Sequence, residues 1–358
     1  MKKKRASFTG KLGFVLSAAG ASVGLGNIWR FPYLCAKYGG GTYLITYIIL
    51  AATFGYTMIM AETAIGRMSQ KSPVGAFAHF SKKKSYRLGG WINAIVPMLI
   101  VPYYSVIGGW VIKYLFDYIT KPAKKIATDG YFSDFISGAT PEIWFIIFAL
   151  LTTVIVYMGV QSGIERVSKI LMPILVVLAA VICVYTMTRP GAGAGIKYLL
   201  VPSTKRFSWM TIVTAMQQMF YSLSIAMGIL ITFGSYMKKE VSIEESTDQV
   251  EIFDTLIAFL AGLMIIPAVF AFSGSDAGKN LDAGPSLMFI TMPKTFASFP
   301  SGRVFGLLFF LLVLFAALTS SIALMESAVS TLEDELKWSR KKSTLVIGAV
   351  MLGLGTLS

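Results

Sequence analysis

Charge is what this sequence has least of. Of 358 residues only 14% are Asp, Glu, Lys or Arg, while 55% are aliphatic, aromatic, Met or Cys; an average soluble domain carries about 25% charged residues. So small a supply cannot cover a water-facing surface of this length, and the chain belongs in a bilayer. Histidine is almost missing, with His79 alone, which leaves little for imidazole chemistry. The two cysteines, Cys35 and Cys183, lie in different apolar stretches and make neither a disulfide framework nor a metal-ligand spacing. No nucleophile with its base and no metal shell is visible, so an enzyme is not expected.

Acids are scarcer than bases, 18 against 32, for a net charge of +14. In a soluble protein that balance would suggest nucleic acid. Here the basic residues are spread over several short loops, which is the pattern of the positive-inside rule and no footprint for a nucleic acid.

A spanning helix needs about 20 mostly apolar residues. Runs of that kind extend over Leu12 to Ala36, Tyr43 to Ile65, Trp91 to Leu115, Ile143 to Val160, Ile164 to Met187, Met210 to Tyr236, Ile252 to Phe272 and Val304 to Leu332. We expect these as successive spans. A further apolar run opens at Ser343 and is still apolar at Ser358, so the chain is expected to end inside a ninth helix. No cleavable leader is expected: the first run is long, no small-residue cleavage site follows it, and it contains Asn27 and Arg30. The start Met-Lys-Lys-Lys-Arg places the N-terminus in the cytoplasm, and alternation from there puts Arg67, Lys83, Lys84, Arg166, Lys169, Lys238 and Lys341 on the same side. Arg189, Lys197, Lys205 and Arg206 run against the rule.

Two runs are poor helices in their middles. The first reads Gly20-Ala-Ser-Val-Gly-Leu-Gly-Asn27, and the sixth reads Gln217-Gln-Met-Phe-Tyr-Ser-Leu-Ser224. Irregular backbone at membrane depth survives only where it is buried in protein or lines a wet cavity. Glycines in a span usually mark close helix packing. Asn27 and Arg30 follow the glycines directly, however, and polar residues at that depth are costly unless used. Interrupted helices in corresponding positions of two halves point to a transporter site between inverted repeats. A channel would show a continuous polar lining instead.

The stretch Gly20 to Pro32, followed by Gly39-Gly-Gly41, resembles the signature of the neurotransmitter:sodium symporter family in its bacterial amino-acid branch. The similarity runs the length of the chain through Pro102-Tyr-Tyr104, Phe220-Tyr-Ser-Leu-Ser224, Ala316-Ala-Leu-Thr-Ser-Ser321 and Leu332-Glu-Asp-Glu-Leu336. It implies an all-α polytopic membrane protein with the five-plus-five inverted repeats of the leucine-transporter-like fold. Residues 1–190 would form the first repeat, helices 1 to 5, with helix 1 broken near 22–27. Residues 191–358 would form an incomplete second repeat, helices 6 to 8 and part of 9, with helix 6 broken near 221–226.

The same resemblance implies sodium-coupled import of a free neutral amino acid, with two sodium sites. Ala316, Thr319 and Ser320 share one helix face by spacing. Such residues are ordinarily packing positions with hydroxyls bonded back to their own helix; with the carbonyls of Gly20 and Val23 the family makes them sodium site 2. Site 1 would use the Ser22 carbonyl, Asn27, Ser222 and a seventh-span side chain, which here is Asp254 where the family's leucine transporter has Asn. Tyr47, Gln218 and Ser222 match the chloride neighbourhood, and a fixed carboxylate beside them implies transport without a chloride requirement. The substrate carboxylate would meet the amides of Leu25 and Gly26 and the Tyr104 hydroxyl. The ammonium would face Ser22, Tyr221, Ser222 and Ser224. Ile100, Tyr104, Tyr221, Met227, Ser320 and Leu324 would surround the side chain, an apolar set that favours hydrophobic or aromatic amino acids, with Met227 as an adaptable wall.

Arg30 resembles the outer gate arginine, with Tyr104 and Tyr221 as a lid. Arg5, Asp334 and Tyr236 match the inner gate, although position 8 is Phe where the family usually has Trp. Glu62 is expected to brace the sixth break and Glu326 to be structural. The expected partners are the amino acid, sodium ions, the lipid bilayer of the cytoplasmic (inner) membrane and a possible second copy in a homodimer. A non-transporting amino-acid sensor, or a truncated and inactive transporter, is the alternative.

Overall fold

The computed structural model describes residues 5–81, 83–274 and 284–357; Lys2, Lys3, Lys4 and Lys82 of the expected basic loops lie outside them. Every long apolar run is helical. The first is a bent pair, α1 (Lys11–Ser22) and α2 (Gly26–Lys37), turned by 52° at its break. Next come α3 (Gly41–Ser69), α4 (Lys84–Thr120), α5 (Thr140–Tyr157) and α6 (Val160–Met187). Prolines 97 and 102 sit inside α4 without ending it. In a span this is tolerated, because neighbouring groups satisfy the freed carbonyls.

The sixth run, expected to be broken near 221–226, is interrupted. It is two short helices, α7 (Trp209–Ser222) and α8 (Ile229–Gly234), separated by residues 223–228. Within that gap Ser224, Ala226 and Gly228 all have positive φ, of 55°, 61° and 68°. A backbone alternating into the left-handed region cannot propagate α-helical hydrogen bonds, so the helix stops two residues later than the sequence suggested and restarts after Gly228. The chain continues through α9 (Ile243–Ser273), α10 (Gly302–Glu335) and α11 (Arg340–Thr356). Among the described residues, six unbroken helices are long and apolar enough to cross a membrane, and the bent first pair makes a seventh.

Burial separates centre from periphery. The most apolar stretch of α10 is 72% buried inside the protein, against 28% for α3. Helix α10 is therefore the post around which the broken spans pack, and α3 turns most of its surface toward lipid. The buried face of α10 carries Ala316, Thr319, Ser320 and Ser321, small residues that let α1 approach. A Cβ added to Gly20 would stand 3.1 Å from the Thr319 Cβ.

Candidate functional site

The break in the first span leaves the ends of two helices without helical partners. Val23 still donates to the Ala19 carbonyl at 2.7 Å, and after it the chain extends before re-entering a wide π-type turn over Gly26–Arg30. Side chains from elsewhere satisfy the freed amides. Leu25 N donates to the Tyr104 hydroxyl at 3.1 Å, and Gly24 N donates to the Asn27 side-chain oxygen at 3.1 Å.

All eleven residues named from the sequence for the substrate line one cavity with Ala21 and Gly24, around about 350 Å³ of atom-free space. The lining combines polar groups, the Leu25 and Gly26 backbone, Tyr104, Ser22, Ser222 and Ser224, with the apolar side chains of Ile100, Met227 and Leu324. Glycine is needed here for close approach. A Cβ on Gly26 would come within 2.7 Å of the Tyr221 ring, and one on Gly24 within 2.6 Å of Ser320 Oγ.

Three carbonyls of the first break converge on one hydroxyl. Ser320 Oγ lies 3.3 Å from the Gly20 and Ala21 oxygens and 3.2 Å from the Val23 oxygen. One proton cannot serve three acceptors, so surplus oxygen is gathered at this point, an environment that suits a hard monovalent cation. Thr319 differs from its neighbour. Its hydroxyl donates to Phe315 O at 2.9 Å and lies 3.2 Å from Ala316 O, the back-bonding of an ordinary helix hydroxyl.

Asp254 is fully buried and collects three donors. Asn27 Nδ2 and Ser222 Oγ each donate to Oδ1 at 2.8 Å, and the Tyr47 hydroxyl donates to Oδ2 at 3.1 Å. The structure thus joins Asn27, Ser222, Asp254 and Tyr47, but not Gln218. Arg30 Nη1 donates to the Gln218 amide oxygen at 3.3 Å, and Gln218 Nε2 donates to the Gly26 carbonyl at 3.0 Å. Both polar atoms of the Gln218 amide are thereby engaged, its nitrogen on a carbonyl that also accepts from Phe31 N.

The two arginines named from the sequence as gates are held differently. Arg30 stacks over Tyr221 at 5.3 Å and has no ion pair among the described residues. Arg5 binds both oxygens of Asp334, at 2.6 and 2.7 Å, donates to Ser235 Oγ and lies 4.9 Å over the Tyr236 ring. Phe8, where the family usually has Trp, packs edge-on against Phe14, Phe233 and Tyr236.

The sequence model of the sodium:neurotransmitter symporter family matches residues 5–131 and 132–357. The chain belongs to this family. A sodium-dependent transporter of Bacillus subtilis is 32% identical over 99% of this chain and 78% of its own length, and one of Haemophilus influenzae is 33% identical over 98% and 79%. The sodium- and chloride-dependent GABA transporter 2 of Rattus norvegicus is 27% identical over 92% of this chain and 62% of itself. The crystal structure of MhsT in complex with L-phenylalanine superposes with a TM-score of 0.89 at 37% identity, covering 98% of this chain and 80% of that one. The protein is a sodium-dependent transporter of the leucine-transporter-like fold.

Some groups of this symporter escaped sequence reasoning. Glu326, expected to be structural, receives Arg340 at 2.6 Å and the Tyr236 hydroxyl at 2.6 Å, which ties α11 to Tyr236. Glu165 accepts from Thr9 N at 2.9 Å and pairs with Lys169 at 2.6 Å, clamping the N-terminal segment to α6. Lys113 and Asp117 form a buried pair at 2.5 Å near the outer end of α4. Their i, i+4 spacing was readable, but burial was not. Glu62 does what was expected of it: its Oε1 accepts from Ala226 N at 2.7 Å, inside the sixth break.

Proposed function

We propose that this symporter imports a neutral amino acid with a hydrophobic or aromatic side chain, coupled to two sodium ions and without a chloride requirement. The observation that carries the reading is the mixed lining of the cavity. Backbone amides at the start of a half-helix, where partial positive charge favours an anion, share it with the apolar side chains of Ile100, Met227 and Leu324. The first suit an α-carboxylate and the second an apolar side chain. That MhsT was solved with L-phenylalanine supports the same class.

Asn27, Ser222, Asp254 and the Ser22 carbonyl would hold one sodium beside the carboxylate. Gly20, Val23, Ala316, Thr319 and Ser320 would hold the other. Asp254 supplies in place the negative charge that a chloride would otherwise bring, next to Tyr47 and Ser222. Transport would proceed by alternating access: the closure around Arg5, Asp334 and Tyr236 opens as the one around Arg30 and Tyr221 shuts. The two inverted repeats would comprise residues 1–190 and 191–358, in a cytoplasmic membrane with the N-terminus inside. One charge crossing 100 mV is worth about 2.3 kcal/mol, so two sodium ions supply about 4.6, enough for roughly three decades of accumulation.

The test is uptake of radiolabelled L-phenylalanine into proteoliposomes under a sodium gradient. Uptake is expected to vanish when sodium is replaced by choline and to persist when chloride is replaced by gluconate. Competition led by glycine or lysine would overturn the substrate class. Binding without uptake would favour a sensor.

A further inference from the structure

We propose that an anionic phospholipid occupies the crevice between α4, α10 and α11, with an acyl chain inside it and the headgroup held at its mouth by Lys342. The crevice has only apolar lining, including Met98, Val101, Leu332 and Val350, around about 580 Å³ of atom-free space. Apolar walls alone would accept any acyl chain, so the mouth decides which lipid is held.

Trp338 lines the crevice, and the Lys342 ammonium lies 4.1 Å from its ring centroid. Lys341, the next residue, lies 5.7 Å over Tyr157. Neither lysine has a carboxylate partner among the described residues. The nearby acids are already engaged: Glu335 with Arg87, Glu326 with Arg340 and Asp334 with Arg5, each at 2.6 Å, and Glu333 with Arg340 at 3.6 Å. Arg87 is 60% exposed and gives only one nitrogen to its partner. Cations in excess at the rim of an apolar slot complement an amphiphile with a negative head. A zwitterionic lipid could fill the slot but would leave the lysines unanswered. Tryptophan at the rim marks the level of the headgroups. The leaflet follows from the orientation proposed above, whereas the site itself does not depend on it.

The experiment is fluorescence quenching by brominated lipids of the full chain in phosphatidylcholine liposomes doped with phosphatidylglycerol. The share of Trp338 is read as the difference between the unaltered protein and Trp338→Phe. Brominated phosphatidylglycerol is expected to quench that share at least about twofold more than brominated phosphatidylcholine, since each lysine near the surface strengthens binding about five-fold. Lys341→Gln with Lys342→Gln should reduce it to the phosphatidylcholine level. Val350→Phe, which fills the slot, should lower quenching by both lipids while circular dichroism shows the helices intact. If that variant does not fold, native mass spectrometry takes its place: the double lysine variant should retain one phosphatidylglycerol fewer. Equal quenching by the two lipids, an unchanged preference in the lysine variant, or no quenching at all, as when a second copy covers Trp338, would overturn the proposal.

Discussion

In the first span the helix stops at Ser22 and restarts at Gly26, and none of the residues between has positive φ; in the sixth, three of the six residues between α7 and α8 do. The glycines of the first break are there for space. Tyr104, Tyr221 and Ser320 press against them, and Asn27 and Tyr104 take up the freed amides. The second break holds an alanine and a serine in a conformation that costs an L-residue roughly 1–2 kcal/mol, and Glu62 holds it by the Ala226 amide. One break is thus fixed by what surrounds it, and the other keeps local strain beside the cavity. A methyl group should accordingly have opposite effects at the two.

Adding one to the first break should do the most damage. Gly26→Ala is expected to abolish sodium-dependent uptake, by at least tenfold, because overpacking of this kind costs about 1–3 kcal/mol; normal uptake would mean that Tyr221 is free to move aside. Asp254→Asn is expected next, with uptake falling severalfold and recovering in part when chloride is supplied. A variant indifferent to chloride would remove the carboxylate from the role given to it.

Glu62→Ala should lower the thermal midpoint by removing the acceptor of the part-buried Ala226 amide, at a cost of about 1 kcal/mol, while Glu62→Gln keeps an acceptor and most of the stability. Equal losses would show that the carboxylate, not the hydrogen bond, matters. Removing a methyl from the second break is a smaller change of opposite sign: Ala226→Gly should stabilise by about 1 kcal/mol in denaturation, and a loss would mean that its side chain packs usefully.

The smallest effect lies at an exposed ion pair. Asp129 pairs with Lys294 at 2.5 Å, and the lysine's hydrogen bond and charge hold its carboxyl below the usual range. Any contribution is present above the unfolded carboxyl pKa and is lost as pH falls through the folded one. The carboxylate is almost fully exposed, so Asp129→Asn should leave uptake and stability unchanged at physiological salt. A clear shift would show that these exposed segments are tied more tightly than the breaks.

The positions of the apolar runs were legible because a bilayer tests every residue of a span, and Gly24-Leu-Gly-Asn27 stood out because polar and flexible residues are costly there. The sixth break was legible only in outline. Nothing about Leu223 to Gly228 as letters shows that Ser224 and Ala226 take positive φ. Gln218 illustrates the limit most plainly: its residue type suits an anion neighbourhood, yet Arg30 and the Gly26 carbonyl engage both ends of its amide. Arg340 looked like one more cytoplasmic charge until packing set it against Glu326.

What the sequence by itself determined was a membrane protein of short charged loops, two interrupted helices and a family whose members use sodium, since composition, run length and ordered motifs are properties of the chain alone. What only the tertiary structure decided was which polar groups meet. Helix spacing fixes neighbours three and four residues apart, but Asn27, Ser222 and Asp254 come from three different helices, and their distances follow from how those helices pack around α10.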